Sequence, residues 1–224
     1  MYGLIFDVDG VLADTEAMSS RASVKMLEDL FGLNGVTRHD FDAGIGRGAE
    51  AYVRAAADIH GLSLTDEQMM KAVQVRQDYF LKMLTEESLP PFPGVMDLIN
   101  VALASDEVRV AIATSSTREK SEATLKAAGI PYESMVYVNG SDVKRKKPAP
   151  DLFLTAVERM KLEPSDCVVI EDAPDGVAAA HAAGCRCVAV TNSVPAEKLA
   201  EAELVVNSLR MLDLPTVIRL VAAG

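Results

Sequence analysis

Two acidic pairs draw attention because each closes an apolar run. Asp7 and Asp9 end "GLIFDVDG", and Glu171 and Asp172 end "CVVIED". Carboxylates gathered in one place repel, and at least one stays protonated unless a cation joins them. Hard oxygen ligands with an incomplete shell suit Mg2+, which keeps waters and couples carboxylates to phosphate oxygens. A carboxylate beside such an ion can attack phosphorus and form an acyl phosphate. A second carboxylate two residues on lies across an ideal strand. Gly10 lets the chain turn, so that Asp9 can swing back, give a proton to a leaving oxygen and take one from an incoming nucleophile.

Other chemistry-bearing residues follow further apolar runs. Thr114, Ser115 and Ser116 come after "VRVAIAT", and Lys144, Lys146 and Lys147 sit in "DVKRKKPAPD". A hydroxyl and a lysine there would bind the remaining phosphoryl oxygens. The prolines that follow Lys147 fix its direction and favour it over its neighbours. Thr114 competes for a second task, capping a helix over 117–128, which Ser115 or Ser116 could take instead.

These residues converge only if the runs are parallel strands of one sheet, since ligands bind outside the carboxyl ends of such strands. The runs 3–8, 108–114, 134–140, 166–172, 185–191 and 203–206 are short, continuous and bounded by polar or turn residues. That is the pattern of strands buried on both faces. Helical windows lie between them at 93–104, 117–128, 149–161, 174–183, 196–202 and 208–222. The expected fold is α/β, a doubly wound parallel (Rossmann-like) sheet.

Residues 15–88 hold no strand candidate. Helical periodicity there ends at Gly32, at Gly61 and before "SLPPFPG", and Thr65 with Gln68 has capping-box spacing. The division expected is a core of 1–14 and 89–224 with an all-helical cap of 15–88 inserted after the first strand, joined by hinges near 12–16 and 86–92. Met26, Leu27, Met69, Met70 and Met83 read as cap core. "GIGRGAE" at 44–50 opens a helix and could cradle a phosphate or simply connect two helices. His39, His60 and His181 look peripheral and are given no role.

Bulk properties narrow the function. The chain has 224 residues, with 49% apolar and 25% charged. Its net charge of −11 argues against a nucleic-acid partner. Three cysteines (Cys167, Cys185 and Cys187) form no disulfide framework and read as core residues of a reducing compartment. No signal peptide or membrane span is expected, so the default is cytoplasmic. Oligomeric state is left open, a monomer included.

"DVDGVLADTE", "AIATSS", "KKPAPD" and "VVIEDAPDGVAAAHAAG" resemble, in order, the four motifs of the haloacid dehalogenase superfamily, and the helical insert is similar to its α-helical cap. The resemblance covers essentially the whole chain. It implies Asp7 as nucleophile and Mg2+ ligand, and Asp9 as general acid/base with its backbone carbonyl on the metal. It implies Thr114 and Lys147 as phosphate-holding residues and Asp172 as a Mg2+ ligand, with Glu171 on the metal or behind it. Ser115 joins them as a substrate-binding candidate. Dehalogenases proper lack the second aspartate, which is present here as Asp9.

The cap is similar to that of the β-phosphoglucomutase branch and its phosphatase relatives. Arg47 resembles an arginine that grips a second phosphate there, and Arg76 sits where that branch has a basic residue. The mutases carry a histidine early in the first cap helix, where Ser19 stands here. The expectation is a phosphatase for a small phosphorylated metabolite, a sugar phosphate above all. A phosphomutase using the same intermediate is the alternative, and a non-catalytic phospholigand-binding module is a third reading.

Overall fold

The computed structural model describes residues 1–222. Six strands form one sheet, β1 (Tyr2–Phe6), β2 (Val108–Ala113), β3 (Val136–Val138), β4 (Cys167–Glu171), β5 (Arg186–Val190) and β6 (Leu204–Val206). Their spatial order is β3-β2-β1-β4-β5-β6, with every pairing parallel. The chain runs outward from β1 through β2 to β3, then crosses to β4 and runs outward the other way. Strand order therefore reverses between β1 and β4, and a crevice opens at such a point.

The strands are apolar throughout because both faces are covered. Leu4, Phe6, Ile112, Val168 and Ile170 pack on one side with α4 (Val95–Leu103) and α8 (Leu214–Ala222). Ile5, Ala111, Ala113, Val169 and Cys187 pack on the other with α6 (Asp151–Met160) and α7 (Pro174–Ala183). Cys167 and Cys185 lie in this second cluster, and all three cysteines are buried and free.

Between β1 and α4 the described residues contain no strand; three α-helices stand there, α1 (Thr15–Phe31), α2 (Ala49–Ile59) and α3 (Asp66–Glu86). They share a cluster of their own around Met26, Phe41, Val53 and Met69. Asp14 accepts from the Ala17 N–H at the start of α1, and Gly32 ends it with a φ of 64°. Thr65 and Gln68 form the reciprocal capping box expected at α3. The two connections to the sheet run side by side, with the Phe92 N–H donating to the Leu12 carbonyl at 2.9 Å.

Four details depart from the sequence expectations. The window 196–202 forms only a 3-10 turn, Ala196–Leu199, with Leu199 its single buried residue. The window 208–222 splits into a 3-10 turn and α8, because Pro215 is tolerated only in a first turn. A 3-10 helix at Arg38–Gly44 was unanticipated. Met70 is 65% exposed and contributes nothing to the core.

One tight turn places the site. Gly10 has a φ of 79°, and its N–H donates to the Ala13 carbonyl at 3.1 Å. A Cβ at this position would stand 1.8 Å from Asp172 Oδ2 and 2.6 Å from Ser193 Oγ. Gly10→Ala should therefore destabilise the protein by about 1–3 kcal/mol, combining a left-handed backbone with a collision. A denaturant titration would reveal the loss; an unchanged midpoint and slope would contradict this account of the turn.

Candidate active site

The carboxyl ends of β1 and β4 bring three acidic side chains together. Asp7, Glu171 and Asp172 each offer an oxygen within 4.8 Å of the others, and all three are buried. Parallel pairing of β1 with β4 enforces this, and the Asp7 N–H donates to the Ile170 carbonyl at 3.1 Å. The Lys147 ammonium, also buried, donates to Asp7 Oδ1 at 2.5 Å and to Glu171 Oε1 at 2.5 Å. Lys144 is exposed, and Lys146 donates instead to the carbonyls of Ser115 at 3.1 Å and Gly140 at 2.6 Å. Of the three neighbouring lysines, Lys147 alone reaches the acids.

The acids differ in their surroundings. Glu171 Oε2 accepts from the backbone N–H groups of Asp172 at 3.0 Å and Ala173 at 3.3 Å. Both its oxygens are thus engaged. Asp172 accepts from the Ser193 hydroxyl. Burial raises Asp7 to about 7, with Lys147 opposing and Glu171 and Asp9 adding to the rise. Burial, then the charges of Glu171 and Asp7, raises Asp172 well above the usual carboxylate range. Burial works against the charge on Lys147, but Asp7 and Glu171 outweigh it and hold the ammonium firmly protonated. One cation among three close carboxylates leaves an excess of negative charge, which a divalent ion bound by oxygen would neutralise. The donor set fits such an ion, with Asp7 and Asp172 the freer ligands.

Asp9 faces the opposite wall. Its Oδ1 accepts from Thr15 Oγ1 at 2.6 Å and Lys120 Nζ at 2.7 Å, and its Oδ2 from Ser116 Oγ at 2.7 Å. Burial would raise this carboxyl, but Lys120 and the three hydrogen bonds hold it well below the usual range. Its side chain is absent from the acidic trio.

Thr114 is buried on the cavity wall, where its hydroxyl accepts from the Ser116 N–H at 3.1 Å. The helix that follows, α5 (Arg118–Ala127), is capped by Thr117, not by Ser115 or Ser116 as anticipated. Ser115 Oγ is buried without a hydrogen-bond partner among the described residues, and Ser115 lines the cavity. An orphaned hydroxyl there is a vacancy in the bonding pattern that a phosphoryl oxygen would complete.

Above these groups lies a cavity of about 370 Å3, walled on its far side by Glu16, Tyr52 and Arg76. The Tyr52 hydroxyl donates to Glu16. Arg76 is buried, donates from Nε to Ser23 Oγ at 2.7 Å and stacks over Tyr52 at 4.7 Å. Arg47 also lines the cavity, but it is half-exposed, and its Nε sits 3.0 Å from Asp175 in an ion pair. The structure thus brings Asp7, Lys147, Glu171 and Asp172 into contact, arrays Asp9, Thr114, Ser115 and Arg76 around one cavity with them, and leaves Arg47 at its rim. His39, His60 and His181 lie beside Asp42, Asp40 and Glu203, away from the cavity.

Sequence reasoning missed Thr15, Glu16, Tyr52, Lys120 and Ser193. Ser193 follows the fifth apolar run, so the strand-end rule reaches it once applied to every strand. Lys120 lies on a helix and carried no such signal.

Comparison with known proteins follows the same lines. Residues 4–190 match the family model described as haloacid dehalogenase-like hydrolase. The chain is 35% identical over 85% of its length to protein SUPPRESSOR OF QUENCHING 1, chloroplastic, of Arabidopsis thaliana, but spans only 18% of that relative. It is 34% identical to fructose-1-phosphate phosphatase YqaB of Escherichia coli, covering 84% of this chain and 95% of that one. A crystal structure of a mutant CbbY from Rhodobacter sphaeroides in complex with xylulose-(1,5)bisphosphate superposes with a TM-score of 0.86 at 26% identity, over 97% and 99% of the two chains.

Charge crowding yields a stability prediction. A carboxyl whose folded pKa is raised binds its proton more tightly in the folded state, so stability falls as pH rises between the unfolded and folded values. For Asp7 that window runs from 3.8 to about 7. At pH 8 Asp172→Asn should raise the melting temperature of the metal-free protein by about 2–4 °C for each kcal/mol of relieved repulsion. The same variant should lose the stabilisation that added Mg2+ gives the parent protein. Thermal melts with and without Mg2+ check this; an unchanged Mg2+ response in the variant would refute the cation site.

Proposed function

The chain belongs to the haloacid dehalogenase-like hydrolases, and on that premise we propose that it is a Mg2+-dependent phosphatase that hydrolyses a small sugar phosphate through an aspartyl-phosphate on Asp7. The observation that carries this reading is the buried trio of Asp7, Glu171 and Asp172 at the switch point of the sheet, with Lys147 bound to the first two. Residues 15–88 act as a cap over that centre, and their paired connections at Leu12 and Phe92 serve as its hinge. Free, buried Cys167, Cys185 and Cys187 support a reducing compartment, in keeping with a cytoplasmic enzyme. No helix among the described residues is long and apolar enough to cross a membrane.

Mg2+ bound by Asp7, Asp172 and the Asp9 carbonyl would offset the acidic crowding and polarise the phosphoryl group. Lys147 orients Asp7 through one oxygen and leaves the other free to attack. A bond forms from that oxygen to phosphorus while the ester bond breaks. The negative phosphoryl group beside Asp9 opposes Lys120, so that the carboxyl takes up a proton from solvent and gives it to the departing oxygen. It then takes one from the water that attacks the same phosphorus, which frees Asp7 and releases inorganic phosphate. Thr114, Ser115 and Lys147 hold the phosphoryl oxygens through both steps. Glu171 works from behind, keeping Lys147 charged and in place.

At the far end of the cavity, Glu16, Tyr52 and Arg76 mix donors and acceptors in a way that suits a polyhydroxylated substrate. The fructose-1-phosphate activity named for a relative supports the same class. Arg47 and Arg76 both line the cavity, which favours a second reading, a phosphomutase that grips a bisphosphate. Against it, Asp175 already pairs with Arg47, and Ser19 lines the cavity where the mutases carry histidine.

Asp7→Asn should lower kcat by about 10^4-fold or more, since an amide is no nucleophile. EDTA should abolish turnover and Mg2+ restore it. Phosphate release from p-nitrophenyl phosphate measures both, and appreciable activity in Asp7→Asn would refute the assignment. Feeding β-glucose 1-phosphate with its bisphosphate primer separates the two readings: phosphate release marks a phosphatase, and isomerisation marks a mutase.

A further inference from the structure

Lys120 has no task in the reaction described so far, yet its placement is costly. It is the third residue of α5, in a first turn whose exposed N–H groups disfavour a cation. It is 9% exposed, so its ammonium has lost most of its water. A helix-surface lysine would avoid both conditions. Its backbone is fixed from one side, where its N–H donates to the capping hydroxyl of Thr117 at 3.3 Å. Its side chain is fixed from the other, 2.7 Å from Asp9 Oδ1 and 3.3 Å from Ser116 Oγ. The ammonium also stands 4.7 Å from the centre of the Phe80 ring, which belongs to α3 of the helical insert.

The same stretch of α5 touches α3 elsewhere. Thr117 Oγ1 donates to Gln77 Oε1 at 3.0 Å, and Gln77 Nε2 donates to Glu119 at 2.6 Å. Asp9 itself is held by Thr15, the first residue of α1, as well as by Lys120. Its carboxyl is therefore oriented by Ser116 on one oxygen and, on the other, by one group at the start of the insert and one that packs against the insert's third helix. Asp9 sits beyond the strand end on a turn, where nothing in the sheet dictates its rotamer.

We propose that Lys120 is a positioning residue that aims the Asp9 carboxyl at the ester oxygen of the substrate, using Phe80 to register where the helical insert stands. The proposal rests on the phosphatase reading and goes beyond it. Lys120 touches no reacting atom; it acts through Asp9. An acid aimed at the leaving oxygen matters most when that oxygen is basic and least when it departs readily.

The test compares two esters of similar shape, phenyl phosphate and p-nitrophenyl phosphate, on the full chain with Mg2+. The parameter is kcat/KM, which ends at departure of the leaving group. Lys120→Met keeps an apolar stem against Phe80 and removes the charge. It should lower kcat/KM by about tenfold or more for phenyl phosphate and by under about threefold for the nitrophenyl ester. In an Asp9→Asn background the same substitution should add under about twofold, because the two residues act as one unit. A deficit equal on both esters, or one that multiplies in full on Asp9→Asn, would overturn the proposal. Should Lys120→Met fail to fold, Lys120→Arg is read the same way, with a smaller deficit still weighted to phenyl phosphate. Failure of the parent protein to turn over either ester would count against the phosphatase reading, and is thereby distinguished from failure of this one.

Discussion

Three carboxylates crowd into a buried space at the ends of β1 and β4, and a single ammonium answers them. Most of the local architecture accommodates that imbalance. Glu171 is steadied by Lys147 on one oxygen and by two backbone N–H groups ahead of α7 on the other. The start of α7 lies so close that a Cβ on Gly176 would stand 2.0 Å from the Glu171 carboxyl carbon. Gly10 is bare for the matching reason on the Asp172 side. Asp7 and Asp172 are left with raised affinities for protons, a condition that a divalent ion relieves. The same excess charge that weakens the metal-free protein is what suits the place to a cation.

Topology explains why the crowding occurs where it does. Reversal of strand order between β1 and β4 opens a crevice at their carboxyl ends, and neighbouring strands deliver one acidic segment each. The chain leaves β1 through the Gly10 turn and builds three helices before returning to the sheet. Those helices carry their own apolar cluster and present Glu16, Tyr52 and Arg76 to the far side of the cavity. On the proposed reading, chemistry and selectivity reside on different parts of the chain. Asp9 and Lys120 lie where the parts meet.

Features set by local chemistry could be read from the residues alone. Continuous apolar runs located all six strands to within two residues at either end, because strands buried on both faces have no polar side to obscure them. Acids, hydroxyls and lysine at strand ends marked Asp7, Thr114, Lys147, Glu171 and Asp172. Thr65 with Gln68 fixed the start of α3, since a capping box is a purely local device. What escaped depends on tertiary packing. Lys120 gains its partners from segments far away in sequence, and its helix gives no hint of them. Met70 was assigned to the core on residue type, but the rotation of α3 turns it outward. Arg76 is enclosed by Ser23 and Tyr52 from two other helices, partners that its own helix does not reveal.

The central claim is that the first aspartate of the chain's first strand end carries the phosphoryl group. An acyl phosphate formed during turnover can be caught by acid quenching and reduced with borohydride, which converts the bearing aspartate to homoserine. Peptide mapping of residues 1–21, which hold Asp7, Asp9 and Asp14, then locates the mark. The account predicts homoserine at position 7, dependent on Mg2+ and on substrate. A mark on Asp9, or none under conditions of steady phosphate release, would contradict it.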